Sequence, residues 1–328
     1  MHHQLYRRSV MTGLLLAGLG AFSATALSAE TLKWAHVYEA SHPNHKWAEW
    51  AADEIEKRTE GRYEIDIFPA SSLGKQADID EGLTLGTVDI VYTGVQFAGR
   101  DYADVGLLGA PYVFRDLDHW KAVRDNELFS EIAQGYQDQT GHHIAALNYY
   151  GSRHTTSNKR IETPDDMQGL KIRVPNAPLY MMFPEAQGAN ATPIAFAEVY
   201  LALQQGVVEA EENPLPTIQS MKFHEVQDYV VLTGHITDSL VTIVSGNVWG
   251  GLSDDDKAIF DQVLAEAAEG VTADVEKSEQ ELVEYFKGEG LEIIEVDREP
   301  FRQNVLPLLQ DGSQDWSPET FDKLQAVK

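Results

Sequence analysis

The sequence predicts an α/β protein of two lobes joined by crossing strands, and three observations carry that expectation. Apolar residues switch between the two-residue period of a strand and the longer period of a helix through residues 31–140. The same alternation restarts at Leu170. Strand, helix, strand, helix implies a parallel sheet wrapped by helices, and the roughly 300 residues beyond the N-terminal leader are enough for two such units with a sizeable core.

Taken in order, residues 31–37 read as a strand, and Pro43 opens a helix whose Trp47, Trp50, Ala51 and Ile55 share one face. Residues 63–68 alternate strictly and form a second strand. Residues 75–85 are helical, 88–92 are a short apolar strand, and helices follow at 117–123 and 127–140. In the second half Leu170, Ile172 and Val174 alternate with Lys171 and Arg173 in a strand that Pro175 ends. Helices are expected at 178–188 and 195–205, the latter stopped by Gly206, which takes the left-handed C-terminal position without steric penalty. Residues 229–232 and 240–244 read as two apolar strands. Ser253 caps a last helix, with Asp254, Asp255 and Asp256 in its first turn and Ile259, Phe260, Val263, Leu264 and Ala267 on one face, extending as far as Phe286.

Arg7 and Arg8 precede an apolar run over residues 10–22, and small residues follow through Ser28-Ala29. This is the pattern of a secretory signal peptide over residues 1–29, with cleavage after Ala29 or, alternatively, Ala26. The run is shorter than the roughly 20 residues of a membrane span. Tyr6-Arg7-Arg8-Ser9-Val10-Met11 only partly matches a twin-arginine signal, so general secretion is expected. The chain has no cysteine, which excludes disulfides, a thiol nucleophile, a cysteine metal site and a lipid-anchored cysteine. Loss of the leader would take the formal charge from −27 to −29. Such an acidic surface repels nucleic acid and anionic lipid. Its acids are spread along the chain, which fits a salty habitat better than a basic partner.

Catalytic patterns are missing. There is no G-x-S-x-G elbow, H-E-x-x-H pair, P-loop or G-x-G-x-x-G after a strand. Asp78-Ile79-Asp80-Glu81-Gly82 begins like a calcium loop but lacks the later ligands. No catalytic residue, cofactor or metal is therefore expected. A secreted hydrolase assembled from scattered carboxylates is the remote alternative.

The constructive evidence lies in three motifs: Gly169-Leu170-Lys171-Ile172-Arg173-Val174-Pro175, Gly151-Ser152-Arg153-His154-Thr155-Thr156-Ser157-Asn158, and Val207-Val208-Glu209-Ala210-Glu211-Glu212-Asn213-Pro214. With Phe196 placed just before Glu198-Val199-Tyr200-Leu201-Ala202-Leu203-Gln204, they resemble the DctP-type solute-binding proteins of tripartite ATP-independent periplasmic (TRAP) transporters, closest to the sialic-acid-binding type. The resemblance spans nearly the whole chain beyond the leader. It implies a two-lobed periplasmic-binding-protein-like fold with a ligand cleft and long hinge-spanning elements. Lobe I would comprise residues 30–150 and about 239–278, and lobe II residues 151–238 and about 279–328. It also implies that Arg173 clamps a ligand carboxylate, assisted by Arg153, Asn213 and Phe196. A planar guanidinium matches a carboxylate with two parallel charge-assisted hydrogen bonds.

The sequence also departs from the sialate pattern. Val37, Gly94 and Phe97 stand where sialate binders carry polar groups for the sugar, which implies a smaller or less hydroxylated acid, a hydroxy, oxo or aromatic monocarboxylate. Ala177, in the turn before Pro178, is a further cleft candidate. His36, Tyr38 and Glu39 are candidates for the ligand's distal end, and Glu39 in the cleft would admit a zwitterion or an amine. The expected partners are a small organic acid and TRAP membrane permease subunits driven by an ion gradient, with the protein acting as a periplasmic monomer. Presentation of the ligand to a membrane sensor is the alternative use of the same clamp.

Overall fold

The computed structural model describes residues 29–310 and 312–328. The expected leader therefore lies outside the described residues, Ala29 excepted. Among the described residues nine strands form one sheet. They are β1 (Glu30–Ala35), β2 (Tyr63–Phe68), β3 (Ile90–Gly94), β4 (His143–Ser157), β5 (Lys171–Val174), β6 (Asn190–Pro193), β7 (Ala210–Pro214), β8 (Tyr229–Val244) and β9 (Glu292–Ile294). Their order is β2-β1-β3-β8-β4-β7-β5-β6, and β9 pairs with β8.

The expected parallel sheet is instead mixed. β1 pairs in parallel with β2 and β3, and β5 with β6 and β7, whereas β3/β8, β4/β8 and β4/β7 are antiparallel. The reason is the central pair, because β4 and β8 run through both lobes in opposite directions. β3 pairs with residues 240–244 of β8, and β7 with residues 153–157 of β4, so the lobes flank opposite ends of this pair. The two separate strands expected at 229–232 and 240–244 are one strand, and residues 195–205 divide into a tight turn, Phe196–Glu198, and a helix, Val199–Gln204.

Register slips mark where the central pair bends. Gly151 sits at a shift between Tyr149 and Gly151 with φ of +124°, and a Cβ there would approach Pro214 Cβ to 2.6 Å. Only glycine fits such a backbone so close to its neighbour. Between Arg153 and Thr155 the pairing partner on β8 moves from Ile236 to Val231, so residues 232–235 are left out of the ladder.

The long helix Asp254–Gly288 ties the lobes together. Ser253 Oγ accepts from Asp256 N at 3.1 Å, the expected cap. Phe260, Val263, Leu264, Ala267, Val271 and Val275 pack in the main core with Trp34, Val91 and Leu240, and Leu282 and Phe286 join a second core with Val199, Phe223 and Val230. The helix Arg298–Gln310 packs near β8, but Pro318–Ala326 returns to the first lobe's side. There Lys323 reaches Glu131 and Gln325 Nε2 donates to the Val113 carbonyl. Among the described residues no helix is long and apolar enough to cross a membrane.

Candidate functional site

Arg153 leaves β4, and Arg173 leaves β5, toward a cavity of about 400 Å³ between the lobes. The first lobe lines it with Val37, Tyr38, Gly94, Phe97 and the segment Lys75, Gln76, Ala77; the second adds Tyr180, Phe196, Glu198 and Asn213, with Tyr150 from β4. Arg153, Arg173, Asn213, Phe196, Tyr38, Gly94 and Phe97 all line this cavity. A Cβ at position 94 would meet Tyr180 Oη at 2.7 Å, so any larger residue there must displace that ring.

The two arginines are held differently. Arg153 is engaged at every nitrogen: Nε and Nη2 donate to the Glu212 carboxylate, Nη1 to Asp238 Oδ2 at 2.8 Å, and Nη2 also to Asn213 Oδ1 at 3.1 Å. His235 Nε2 lies 3.1 Å from Glu212 Oε2 and extends the network. Burial disfavours the charged forms of all these groups. Against it, Glu212 and Asp238 hold Arg153 protonated, and Arg153 with His235 holds Glu212 below its ordinary range. For Asp238 burial wins and raises it despite Arg153.

Arg173 makes no ion pair among the described residues. Nε and Nη2 both donate to the Ile194 carbonyl, at 3.0 and 2.8 Å, while Nη1 is buried without a partner. Burial pulls this guanidinium down to about 10, opposed by the charges of Glu212 and Glu211. The Phe196 ring lies 5.9 Å from its central carbon and covers it. An anion beside Nη1 would satisfy an orphaned donor and neutralise a buried cation together.

A third donor comes from a relay. His42 Nδ1 accepts from Asn44 N, so Nε2 carries the proton and donates to Thr217 Oγ1 at 3.2 Å. Thr217 in turn donates to Tyr150 Oη at 2.7 Å. The Tyr150 hydroxyl hydrogen is therefore left for the cavity it lines. Donors dominate this space, which suits an acceptor-rich ligand.

Three sequence candidates fall outside the lining. His36 is fully buried with Nε2 3.2 Å from His45 Nδ1, and its ring stacks on that of Tyr38. The Glu39 side chain is half-buried and does not line the cavity. Ala177 packs with Val174, Tyr180 and Ile236. Sequence reasoning in turn missed Lys75, Gln76 and Tyr180 in the lining, and the Glu212–Asp238–His235 network. The signal for the network was there, since acids in otherwise apolar strands need partners.

Bonds also cross the cleft. Gln96 Nε2 donates to Asp238 Oδ1 at 2.8 Å, and Arg100 donates to the Asn176 carbonyl. Together with His42–Thr217 they tie the first lobe to the arginine-bearing one.

The chain matches the bacterial extracellular solute-binding protein family 7 over residues 34–315. It is 35% identical over 309 residues to the sialic acid-binding periplasmic protein SiaP of Vibrio cholerae, covering 93% of this chain and 95% of that protein. The crystal structure of a TRAP periplasmic solute-binding protein from Polaromonas with bound D-erythronate superposes with a TM-score of 0.87 at 33% identity, covering 91% of this chain and 99% of the other. One from Roseobacter denitrificans with bound L-galactonate gives 0.84 at 33% identity, covering 90% and 98%. The chain belongs to family 7 of the bacterial extracellular solute-binding proteins, the DctP family of TRAP transporters, and is a two-lobed binding protein, not an enzyme.

Proposed function

We propose that this protein captures a small hydroxy or oxo carboxylate in the periplasm, holds it on Arg173, and hands it to TRAP permease subunits in the membrane. The observation that carries the reading is the buried, unpartnered Nη1 of Arg173, a residue that lines the inter-lobe cavity. Arg153 sets the shape of the site through Glu212, Asp238 and Asn213 and offers the second Nη1 hydrogen to the same anion. Tyr150 adds a neutral donor. The acids bound to the Polaromonas and Roseobacter relatives, D-erythronate and L-galactonate, support a ligand smaller than sialate.

Residues 30–150 with about 239–278 act as one lobe and residues 151–238 with about 279–310 as the other, and the final helix belongs with the first. Closure follows bending of β4 and β8, and the ligand stabilises the closed form only by its extra affinity for it. Export through the leader delivers the chain to the periplasm. A zwitterion held by Glu39 draws no support from the cavity, since Glu39 does not line it.

The test is a thermal-shift and calorimetric screen of the leader-free protein against small hydroxy, oxo, aldonic, aromatic and amino acids. A ligand that binds only the native state raises the midpoint by mass action. Stabilisation by carboxylates that disappears in Arg173→Ala is expected. Equal stabilisation in that variant, or a response to amines alone, would overturn the clamp.

A further inference from the structure

We propose that the face of the central strand pair turned away from the ligand cleft carries a second, separate site for a phosphate-like oxyanion, built from Arg115, Arg298 and the side chains of Ser152, His154 and Thr237. A cavity of about 520 Å³ lies there. Successive side chains of a strand point to opposite faces of the sheet. Arg153 of β4 enters the cleft, while its neighbours Ser152 and His154 line the cavity behind. Thr237, paired with Ser152 in the β4/β8 ladder, lines it too, whereas the next residue, Asp238, accepts from Arg153 on the cleft side. The two linings share no residue, so this space is not an extension of the carboxylate clamp and the inference does not rest on it.

The floor of the cavity holds unused donors. His154 is only 6% exposed, and its Nδ1 accepts from Gly234 N at 3.1 Å, so the proton sits on Nε2. That N–H, Ser152 Oγ and Thr237 Oγ1 have no hydrogen-bond partner among the described residues. Burial and the charge of Arg298 pull the imidazole down to about 3, which keeps it a neutral donor. The rim supplies the charge. Arg298 Nε donates to the Leu232 carbonyl at 3.2 Å, and Arg115 Nη1 and Nη2 donate to the Gln325 and Val327 carbonyls at 3.3 and 2.6 Å. Both arginines are exposed, and neither forms an ion pair among the described residues. The acids of the lining are committed elsewhere: Asp116 Oδ1 accepts from His119 N at 2.8 Å, Glu299 pairs with Arg302 at 3.3 Å, and Glu279 accepts from Ser152 N at 2.5 Å and from Tyr149 Oη at 2.9 Å. Burial also pushes Glu279 up to about 7, so it carries less than a full charge. Two arginines without acids, in a chain of formal charge −27, leave local positive potential for an external anion. Guanidinium, imidazole N–H and hydroxyl groups around one space suit an anion with three or more acceptor oxygens better than a flat carboxylate.

The test is calorimetric titration of the leader-free protein with inorganic phosphate at constant ionic strength, with acetate as the comparison anion. Phosphate should bind at least about tenfold tighter than acetate. Arg298→Gln should weaken it by about tenfold or more and Thr237→Val by about threefold. Arg173→Ala, which removes the clamp of the cleft, should change phosphate affinity by less than about twofold. Circular dichroism checks that each variant is folded, and should Arg298→Gln fail to fold, Arg115→Gln replaces it with the same expectation. Absence of phosphate binding, acetate binding as tight as phosphate, or phosphate affinity unchanged in both Arg298→Gln and Thr237→Val overturns the site. So does binding that survives Arg298→Gln and disappears in Arg173→Ala, because the anion then sits in the cleft.

Discussion

Arg153 and Glu212 face each other from neighbouring strands through both Nε and Nη2, and each side chain is 1% exposed. Truncating Arg153 would leave Glu212 and Asp238 buried without their cation. Breaking a buried pair from one side typically costs about 3–5 kcal/mol. Arg153→Ala should therefore lower the urea unfolding free energy by about that amount, and a loss under about 1 kcal/mol would mean the acids find other partners or protonate freely.

Arg173 should behave in the opposite way. Its removal gives up two hydrogen bonds to one carbonyl and also a buried cation without a counterion. Stability of Arg173→Ala should stay within about 1 kcal/mol of the parent, while carboxylate affinity falls by about 100-fold or more. Calorimetry beside denaturation separates the two effects, and a variant that unfolds but still binds would contradict the assignment.

Gly94→Ala would place a methyl 2.7 Å from Tyr180 Oη, in the cavity wall. The Tyr180 ring also covers Arg153, 4.9 Å from its central carbon. The expected outcome is about tenfold weaker ligand binding with an unchanged fold. A crystal structure of the variant with Tyr180 unmoved and full affinity would refute it.

Stability should depend on pH in a bent profile. Desolvation pulls His36, His42 and His154 down to about 3 from 6.5. They gain protons on unfolding, so their contribution is complete above about pH 6.5 and is lost as pH falls toward 3. Desolvation pushes Asp80, Glu211 and Glu279 up to about 7. They lose protons on unfolding, so their contribution is complete below about pH 4 and is lost as pH rises toward 7. Urea midpoints should climb steeply between about pH 3 and 4.5, stay level to about 6.5, where the two sets oppose each other, and fall slightly toward 7. A steady climb to pH 7 would mean that these carboxyls are ionised in the fold.

The parts of the molecule legible in the sequence were those whose local pattern agrees with their final setting. β2 and the helix Glu127–Thr140 have the expected bounds, and Ser253 caps its helix, because alternation, face and cap are local signals. β4 went unread because Asn148, Arg153, His154, Thr155 and Thr156 are buried in it, so polar residues interrupt the apolar pattern that marks a buried strand. Arg153 and Arg173 could be singled out from glycine- and proline-bounded motifs. Their difference could not, since what engages Arg153 and leaves Arg173 open is decided by Glu212, Asp238 and Ile194, which other strands and turns supply.

The central pair has a consequence for how the chain comes into being. Ile90 of β3 waits for Val244 of β8, and β1 joins the sheet's middle only through β3. Neither lobe is contiguous in the chain, so neither can be completed while the stretch after residue 228 is still missing. Such distant pairing makes for slow folding. A chain of this design cannot close its central sheet until most of it has been made, so its folding must wait on its C-terminal half.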